Sequence, residues 1–178
     1  MNIDTLTTVQ TERAHSNLAN VETSKLKMMR SAGLRNCFQH INETRFRMEF
    51  VAKIHDKEFI NDAIARNTNA TWYALEATKG DLIWIVNNGK LSETSKLRKA
   101  AEGKVRMLIC LGGHNQQTHD TFSDIIPIIE DAPNMRSALT KALYSDIEKA
   151  KVIFSPAVAN NVPAEVQGEE FRHEVNEL

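Results

Sequence analysis

Two nearly continuous apolar segments, Asp81-Leu-Ile-Trp-Ile-Val86 and Val105-Arg-Met-Leu-Ile-Cys-Leu111, decide the fold of this 178-residue chain. Apolar runs of this length without alternation are typical of parallel strands that are covered on both faces. A helix-forming segment at residues 93–102 separates them. A strand, a helix and a second strand in this order predict a right-handed βαβ unit.

Further strands and helices are predicted on both sides of this unit. Residues 46–54 alternate apolar and polar side chains, and residues 58–61 resume the extended pattern after His55-Asp-Lys57, which predicts a β-hairpin with a tight turn. The fold class that follows is α/β with a Rossmann-like, mostly parallel sheet, an N-terminal helix and a β-hairpin. The remaining predicted elements are strands at 125–129 and 151–154 and helices at 70–78, 115–122, 135–150 and 164–176.

The first 33 residues differ in composition and in hydrophobic patterning from the rest of the chain. They are polar, with apolar side chains at three-to-four spacing up to Gly33, a pattern typical of an amphipathic helix. We therefore divide the chain into an N-terminal helical segment, residues 1–33, and an α/β domain, residues 34–178. The start of the chain lacks a basic region followed by an apolar stretch, so we expect no signal peptide and a cytoplasmic location.

The net charge and the hydrophobic content of the chain exclude some classes of binding partner. Lys and Arg total 22 against 23 for Asp and Glu, so the net charge is -1 and the basic field that nucleic-acid binding needs is missing. A hydrophobic content of 42% is ordinary for a globular protein, and no apolar run reaches the length of a membrane span. Cys37 and Cys110 lie far apart without a CxxC motif, which predicts two buried, reduced thiols. We expect neither a nucleic acid nor a membrane as a partner.

Glycine-rich and histidine motifs near residue 112 offer weak signals of a binding site. Gly112-Gly113 could present backbone N–H groups to an anion, but two glycines after a strand are more often a tight turn. The sequence contains neither GxxxxGK[ST] nor GxGxxG, so it lacks the standard triphosphate and dinucleotide loops. His114 and His119 are five residues apart, a spacing that favours exposed histidines over a shared metal on one helix face. No metal site is predicted.

Ser155-Pro-Ala157 follows a predicted buried strand, where a catalytic hydroxyl is often found. No GxSxG elbow surrounds Ser155, however, so a turn or helix-capping serine is the simpler interpretation. No catalytic residue is predicted.

The order of several motifs resembles the C-terminal domain of the Mur ligases, and in particular of the D-glutamate-adding enzymes. The resemblance covers about residues 34–178, and the N-terminal helix is similar to a shortened end of the family's central domain. In the family this domain is a Rossmann-like sheet that closes over ATP held by the central domain. The motifs are Phe46-Arg-Met-Glu-Phe-Val51, Asn61-Asp62, Asn67-Thr-Asn-Ala-Thr-Trp-Tyr-Ala-Leu-Glu76, Cys110-Leu-Gly112 and Ser155-Pro-Ala157.

The resemblance implies two sets of site residues. Asn17, Asn20, Arg47 and Asp62 match residues that approach the adenosine and phosphates of ATP in the family, so weak ATP binding is expected. Turn capping and surface ion pairing explain the same four residues equally well. On the substrate side the matching remnants are Asn67, Lys90 and Ser155.

The departures from the family pattern lie mainly in the acceptor site. Ile64 stands where the family has the lysine that pairs with the amino-acid carboxylate, and Arg66 replaces a short hydroxyl. The family's glycine-rich loop after the third strand has become residues 87–92, and the segment after Ser-Pro-Ala has become residues 158–162. The P-loop, Mg²⁺ ligands and modified lysine belong to a central domain that the resemblance does not cover. Loss of these groups removes most of what phosphoryl transfer requires.

Three functions follow as hypotheses. The first is a stand-alone, non-catalytic binding or interaction module related to peptidoglycan precursor synthesis. The second is a part of an ATP-dependent D-glutamate-adding ligase that needs its missing domains from another chain, and the third is a weak adenine-nucleotide binder. We also expect a homodimer or a protein partner on the face that meets the central domain in the family, covered or exchanged by the helix carrying Leu18, Val21, Met28 and Met29.

Overall fold

The structure, a computed structural model, describes residues 45–178, which lie within one compact unit. Strands and helices alternate through most of this range, as the sequence predicts. The strands are β1 (Glu49–Ile54), β2 (Lys57–Asn61), β3 (Leu82–Asn87), β4 (Val105–Leu111), β5 (Ile128–Ala132) and β6 (Lys151–Phe154). The helices are α1 (Thr68–Ala77), α2 (Thr94–Ala101), α3 (Gln116–Phe122), α4 (Met135–Leu143) and α5 (Ala164–Asn176).

These strands form one sheet in the order β1-β2-β6-β3-β4-β5. The β1–β2 hairpin is antiparallel and turns at His55, whose φ of 53° is left-handed, whereas the other pairings are parallel. The chain reaches β6 last and inserts it between β2 and β3. The strand order therefore reverses at β6, and the carboxyl ends of β2, β6 and β3 meet at this reversal, which is where open α/β sheets bind ligands.

Apolar residues cover both faces of the sheet, as the continuous runs in β3 and β4 predict. One core contains Leu139 of α4 and Phe171 of α5, packed against Ile83 and Phe154. The other contains residues of α1, α2 and α3, among them Leu97 and Phe122, packed around Trp84. The α/β fold with a mostly parallel sheet is thus confirmed for the described residues.

Several predicted boundaries are wrong, each for a local reason. The strand expected from residue 46 begins at Glu49, because Phe46 and Met48 have left-handed φ angles of 62° and 49°. The strand expected at 125–129 begins at Ile128, because Ile125 and Ile126 close the end of α3 with bonds to the carbonyl of Phe122 and Pro127 has no N–H to donate. The helix expected to reach residue 150 ends at Leu143. There the Ser145 hydroxyl donates to the carbonyl of Ala142 at 2.8 Å.

The predicted N-terminal helix, residues 1–33, lies outside the described residues, as do Asn17, Asn20 and Cys37. Within residues 45–178, no helix is both long enough and apolar enough to cross a membrane.

Candidate functional site

A buried polar network occupies the point where the strand order reverses. Asp62 follows β2 and Ser155 follows β6, so the parallel pairing of these strands brings their carboxyl ends together. Ser155 Oγ donates to Asp62 Oδ2 at 3.0 Å, and Arg47 Nη1 donates to Asp62 Oδ1 at 2.8 Å. The structure thus brings together three residues that the sequence analysis singled out, although they are 15 and 93 positions apart along the chain.

The Arg47–Asp62 ion pair is interior rather than superficial. The side chain of Asp62 is fully buried, and that of Arg47 is 6% exposed. The backbone N–H of Met48 also donates to Asp62, at 3.2 Å, and the Arg47 guanidinium lies 5.3 Å from the centre of the Tyr73 ring. The interpretation of this pair as a surface contact is wrong. Removing either partner would be costly, because it would leave the other charge buried and uncompensated.

Burial also changes the acidity of this site. Desolvation raises the pKa of Asp62 to about 6 from its usual value of 3.8, although Arg47 and the hydrogen bonds from Ser155 and Met48 act in the opposite direction. The carboxyl group is therefore a weaker acid than an exposed aspartate. It still ionises near neutral pH beside the guanidinium.

Thr71 is a member of the network that the sequence analysis missed. Its Oγ1 lies 2.9 Å from Ser155 Oγ and donates to the carbonyl of Ala65 at 3.1 Å. Trp84 Nε1 donates to the carbonyl of Ser155 at 2.8 Å, which holds the serine backbone against β3. The simple interpretation of Ser155 as a turn serine is incomplete, because its hydroxyl is buried and joins β6 to α1. Thr71 is four residues after the N-cap Asn67 of a helix, and a polar residue at that position was the available signal.

The other residues matched to the substrate side do not join this network. Asn67 caps α1, and its side chain accepts from the N–H of Ala70 at 3.0 Å. Lys90 is exposed in the loop between β3 and α2. Ile64, where the resemblance implies a lysine, packs against the core that contains α4 and α5. Arg66 donates to the backbone carbonyl of Asn160 at 2.6 Å and so pins the loop after Ser155.

A reciprocal amide pair at the end of β3 was also missed by sequence reasoning. Asn87 Nδ2 donates to Gln167 Oε1 at 3.2 Å, and Gln167 Nε2 donates to Asn87 Oδ1 at 3.1 Å. Both side chains are buried, so the pair links β3 to α5 across the edge where the polar network lies. A polar residue that ends an otherwise apolar strand was the signal for Asn87.

A second cluster lies at the carboxyl ends of β4 and β5. Cys110 pairs directly with Asp131 in the parallel register of these strands. His119 Nε2 is 2.9 Å from Asp131 Oδ1, and His114 Nδ1 is 2.9 Å from Asp131 Oδ2. The prediction of two solvent-exposed histidines is wrong for His119, whose side chain is only 25% exposed. His114 is more open, at 56%.

The acidities of this cluster reflect the shared aspartate. Burial, together with the Asp131 carboxylate, raises the pKa of the Cys110 thiol to about 12. Partial burial acts against ionisation of Asp131, but the hydrogen bonds from His119 and His114 lower its pKa overall. Hydrogen bonds to Asp131 and then Gln116 raise the pKa of His114. Cys110 is consequently a protonated, buried thiol, as the sequence predicts for it.

Gly112 and Gly113 form the turn between β4 and α3. Their φ angles are 97° and 99°, and both N–H groups donate to the carbonyl of Ala132, at 2.8 and 3.1 Å. Left-handed φ values of this kind suit glycine. Since both donors are used within the fold, the structure supports the turn and not the anion-binding loop.

The fold and the network together define a Rossmann-like α/β domain with an arginine–aspartate–serine cluster at the point where the strand order reverses. Comparison with known proteins gives the family. The chain is 31% identical over 168 residues to the UDP-N-acetylmuramoylalanine–D-glutamate ligase of Porphyromonas gingivalis, an overlap of 92% of this chain and 37% of that enzyme. The corresponding enzyme of Christiangramia forsetii is 30% identical over 77% of this chain and 31% of its own length. The chain is a relative of the Mur ligases, as its motifs predict.

The chain spans less than two-fifths of the length of these curated relatives. Among solved structures, a folylpolyglutamate synthase from Thermotoga maritima matches with a TM-score of 0.48 and 13% identity, over 65% of this chain and 28% of that one. No protein-family model matches the chain.

Proposed function

We propose that the α/β domain of this Mur ligase relative is a non-catalytic binding or interaction module associated with peptidoglycan precursor synthesis. The observation that supports this is that Arg47, Asp62 and Ser155 hydrogen-bond to one another inside the domain instead of facing a ligand site. The three side chains satisfy one another in the interior, and Asp62 and Ser155 are fully buried. Groups that serve ligand binding in a ligase are here used to hold β2, β6 and α1 together.

The acceptor side supports the same proposal. An isoleucine at position 64 offers no charge to an amino-acid carboxylate, and its side chain contributes to the core instead. Arg66 is held by the carbonyl and side-chain oxygens of Asn160, at 2.6 and 3.2 Å. A domain with these replacements lacks the positioning that amide-bond formation with D-glutamate demands.

The test is calorimetric titration of ATP, UDP-N-acetylmuramoyl-L-alanine and D-glutamate into the purified chain, together with a phosphate-release assay. We expect no phosphate release that depends on D-glutamate. D-glutamate-dependent release would contradict the proposal. It would favour the runner-up function, a part of an ATP-dependent D-glutamate-adding ligase.

The runner-up function has its own experiment. Addition of the Porphyromonas gingivalis ligase domains that this chain does not span should restore activity only if the acceptor site of this chain works. Restoring the lysine by Ile64→Lys provides the matched comparison. Activity with the unaltered chain contradicts the non-catalytic proposal, whereas activity that needs the substitution supports it.

Residual adenine-nucleotide binding is a second candidate function, favoured by the place of the network in the fold. Arg47 and Asp62 lie where open α/β sheets bind nucleotides, and the resemblance assigns them, with Asn17 and Asn20, to ATP. Without a P-loop only a few hydrogen bonds of about 1 kcal/mol remain, so we expect a Kd above about 100 μM.

The Asp62→Asn variant should weaken this binding, because it removes the carboxylate that orients the Arg47 guanidinium, whereas Asp81→Asn, at an exposed aspartate before β3, should leave it unchanged. Sub-micromolar binding, or binding that Asp62→Asn does not affect, would contradict this site.

We also propose that the domain associates with a second copy or a protein partner through the face that meets the central domain in the family. The proposed cover for this face is the segment 1–33. Deletion of residues 1–33 followed by light scattering and thermal melting tests it. Aggregation or loss of a dimer is the expected result, and unchanged mass with unchanged stability would contradict the proposal.

A further inference from the structure

The cluster at the ends of β4 and β5 combines side chains that can all act as metal ligands. Cys110 Sγ, a ring nitrogen of His119 and a carboxylate oxygen of Asp131 all lie within 4.8 Å of one another. Thiolate, imidazole and carboxylate are the three kinds of ligand that proteins use to hold zinc. Neither the Arg47–Asp62–Ser155 network nor the proposed function uses these residues.

We propose that Cys110, His119 and Asp131 bind a divalent transition-metal ion, with Zn²⁺ as the best-matched cation, and that His114 positions Asp131. In a tetrahedral zinc site with metal–ligand distances of about 2.0–2.3 Å, ligand atoms stand roughly 3.3–3.8 Å apart. His119 Nε2 and Asp131 Oδ1, now 2.9 Å apart, need to separate by less than about 1 Å to reach this spacing. Coordination by Cys110 releases its thiol proton to solvent and leaves a thiolate on the metal. His119 binds through the lone pair of Nε2, so the proton that Nε2 now donates to Asp131 Oδ1 is also released to solvent or is replaced by one on Nδ1.

The fold supports the three ligands rigidly. Cys110 and Asp131 are paired residues on adjacent parallel strands, so their side chains project from the same face of the sheet. His119 comes from α3, whose Phe122 is buried in the core on that face. Sites built on strands and helices hold ligand geometry better than sites on loops.

His114 provides the hydrogen bond to the outer carboxylate oxygen that metal-ligating carboxylates usually have. Its Nδ1 lies 2.9 Å from Asp131 Oδ2, the oxygen that does not contact His119, while its Nε2 lies 3.1 Å from Gln116 Oε1. This bond orients the carboxylate and leaves Oδ1 toward the metal. Because the thiol is buried and the His114 side chain is half exposed, the site opens to solvent on the His114 side, where a water or small ligand completes the coordination.

A metal site explains the cluster better than a thiol nucleophile would. Nucleophilic cysteines are accessible to their substrates, whereas Cys110 is fully buried and its side chain lies beside His119 and Asp131. Softer thiolate and imidazole ligands also exclude Mg²⁺ and Ca²⁺ as the preferred ions.

The experiment uses the full chain with Cys37→Ser, so that Cys110 is the remaining thiol of the two cysteines. Titration with Co²⁺, followed by displacement with Zn²⁺, reports on the ligands directly. We expect one ion per chain, a thiolate-to-cobalt charge-transfer band and tetrahedral ligand-field bands. No charge-transfer band, or Zn²⁺ binding weaker than about 100 μM, would overturn the proposal.

Variants at each position separate the roles. His119→Ala and Asp131→Asn should each lower Zn²⁺ affinity by at least about 100-fold, and His114→Ala by about 10- to 100-fold. His173→Ala on α5 and Asp146→Asn after α4, both at exposed positions, are the matched controls and should bind as the parent does.

Thermal melting with and without Zn²⁺ checks that each variant is folded and gives a second measure. Zn²⁺ should raise the Tm of the parent and of both controls but not of His119→Ala. An unchanged affinity and Tm shift in His119→Ala and Asp131→Asn would locate the metal elsewhere and refute this site.

Discussion

At the single residue Asp62, burial opposes ionisation of the carboxyl group while its hydrogen bonds and ion pair favour ionisation. Its carboxylate accepts from Arg47, Ser155 and the Met48 backbone, yet it has no exposed surface. Burial penalises the charge, and the ion pair offsets only part of that penalty, so its pKa rises to about 6. Such a residue contributes to a defined arrangement of β2, β6 and α1 while making the folded state sensitive to pH.

The pH dependence follows from the sign of this shift. Because the folded protein holds the Asp62 proton more tightly than the unfolded chain does, the contribution of Asp62 to the free energy of unfolding falls as pH rises from about 4 to about 6. The whole change is at most about 3 kcal/mol. Urea denaturation of the parent and of Asp62→Asn across this range should show the parent losing stability relative to the variant. Parallel curves would contradict the assignment.

Gly168 marks a close approach of α5 to the start of the described domain. A Cβ atom at this position would lie 2.6 Å from Cγ and 2.7 Å from Cδ1 of the buried Phe46 ring. We expect Gly168→Ala to lower the free energy of unfolding by about 1–3 kcal/mol through overpacking. Chemical denaturation measures the loss, and adding Phe46→Leu should recover part of it. A loss that Phe46→Leu does not reduce would point to a different cause.

Among the secondary-structure elements, three of the described helices have an asparagine side chain as their N-cap. Asn67, Asn115 and Asn134 each have extended backbone angles and accept a hydrogen bond from the N–H three residues later. α2 and α5 have Glu93 and Pro163 at the N-cap position and lack a side-chain capping bond. The helices that follow β2, β4 and β5 therefore have their starting points specified by a single polar residue.

The contribution of such a cap is measurable at Asn134, whose Oδ1 accepts from the Ser137 N–H at 2.9 Å. We expect Asn134→Ala to reduce the free energy of unfolding by about 1 kcal/mol. Asn176→Ala, at the exposed last residue of α5, is the control and should change it by less than about 0.5 kcal/mol. Equal effects of the two substitutions in a denaturant titration would show that the cap is not the cause.

In the described domain as a whole, the two hydrophobic cores lie on opposite faces of the same central sheet. Leu139 packs on one face and Trp84 on the other, and the strands between them belong to both cores. Loss of packing on one face should therefore propagate to the other. Cooperative, all-or-none unfolding is the usual behaviour of a domain of this size.

This coupling predicts the result of a substitution in the core that lacks tryptophan. In a Trp72→Phe background, which leaves Trp84 as the remaining one of two tryptophans, Leu139→Ala should lower the free energy of unfolding by about 2–5 kcal/mol. The transitions seen by circular dichroism and by Trp84 fluorescence should shift together. Leu97→Ala, in the core around Trp84, is the comparison. Separate transitions in Leu139→Ala would show that the two cores unfold independently.

The strands and helices were predictable from sequence because their signals are local. The apolar runs of β3 and β4, the hairpin around His55 and the helix at 164–176 depend on side-chain periodicity and turn residues within a few positions. The errors at Ile128 and Leu143 arose where a hydrogen bond to a backbone carbonyl closed a helix end, a contact that periodicity does not register. Arg47, Asp62 and Ser155 were identified through the motifs of a family, not through their spacing.

The sequence by itself determined the α/β class, the order of most elements and the relationship to the Mur ligases. Only the tertiary structure decided which side chains meet. The spacing of His114 and His119 predicts no shared ligand, yet both contact Asp131, because the pairing of β4 with β5 brings residues 110 and 131 side by side beneath α3. Likewise, insertion of β6 between β2 and β3 buries Ser155 against Asp62. Sheet order and strand register are set by long-range packing, and no local pattern in the chain encodes them.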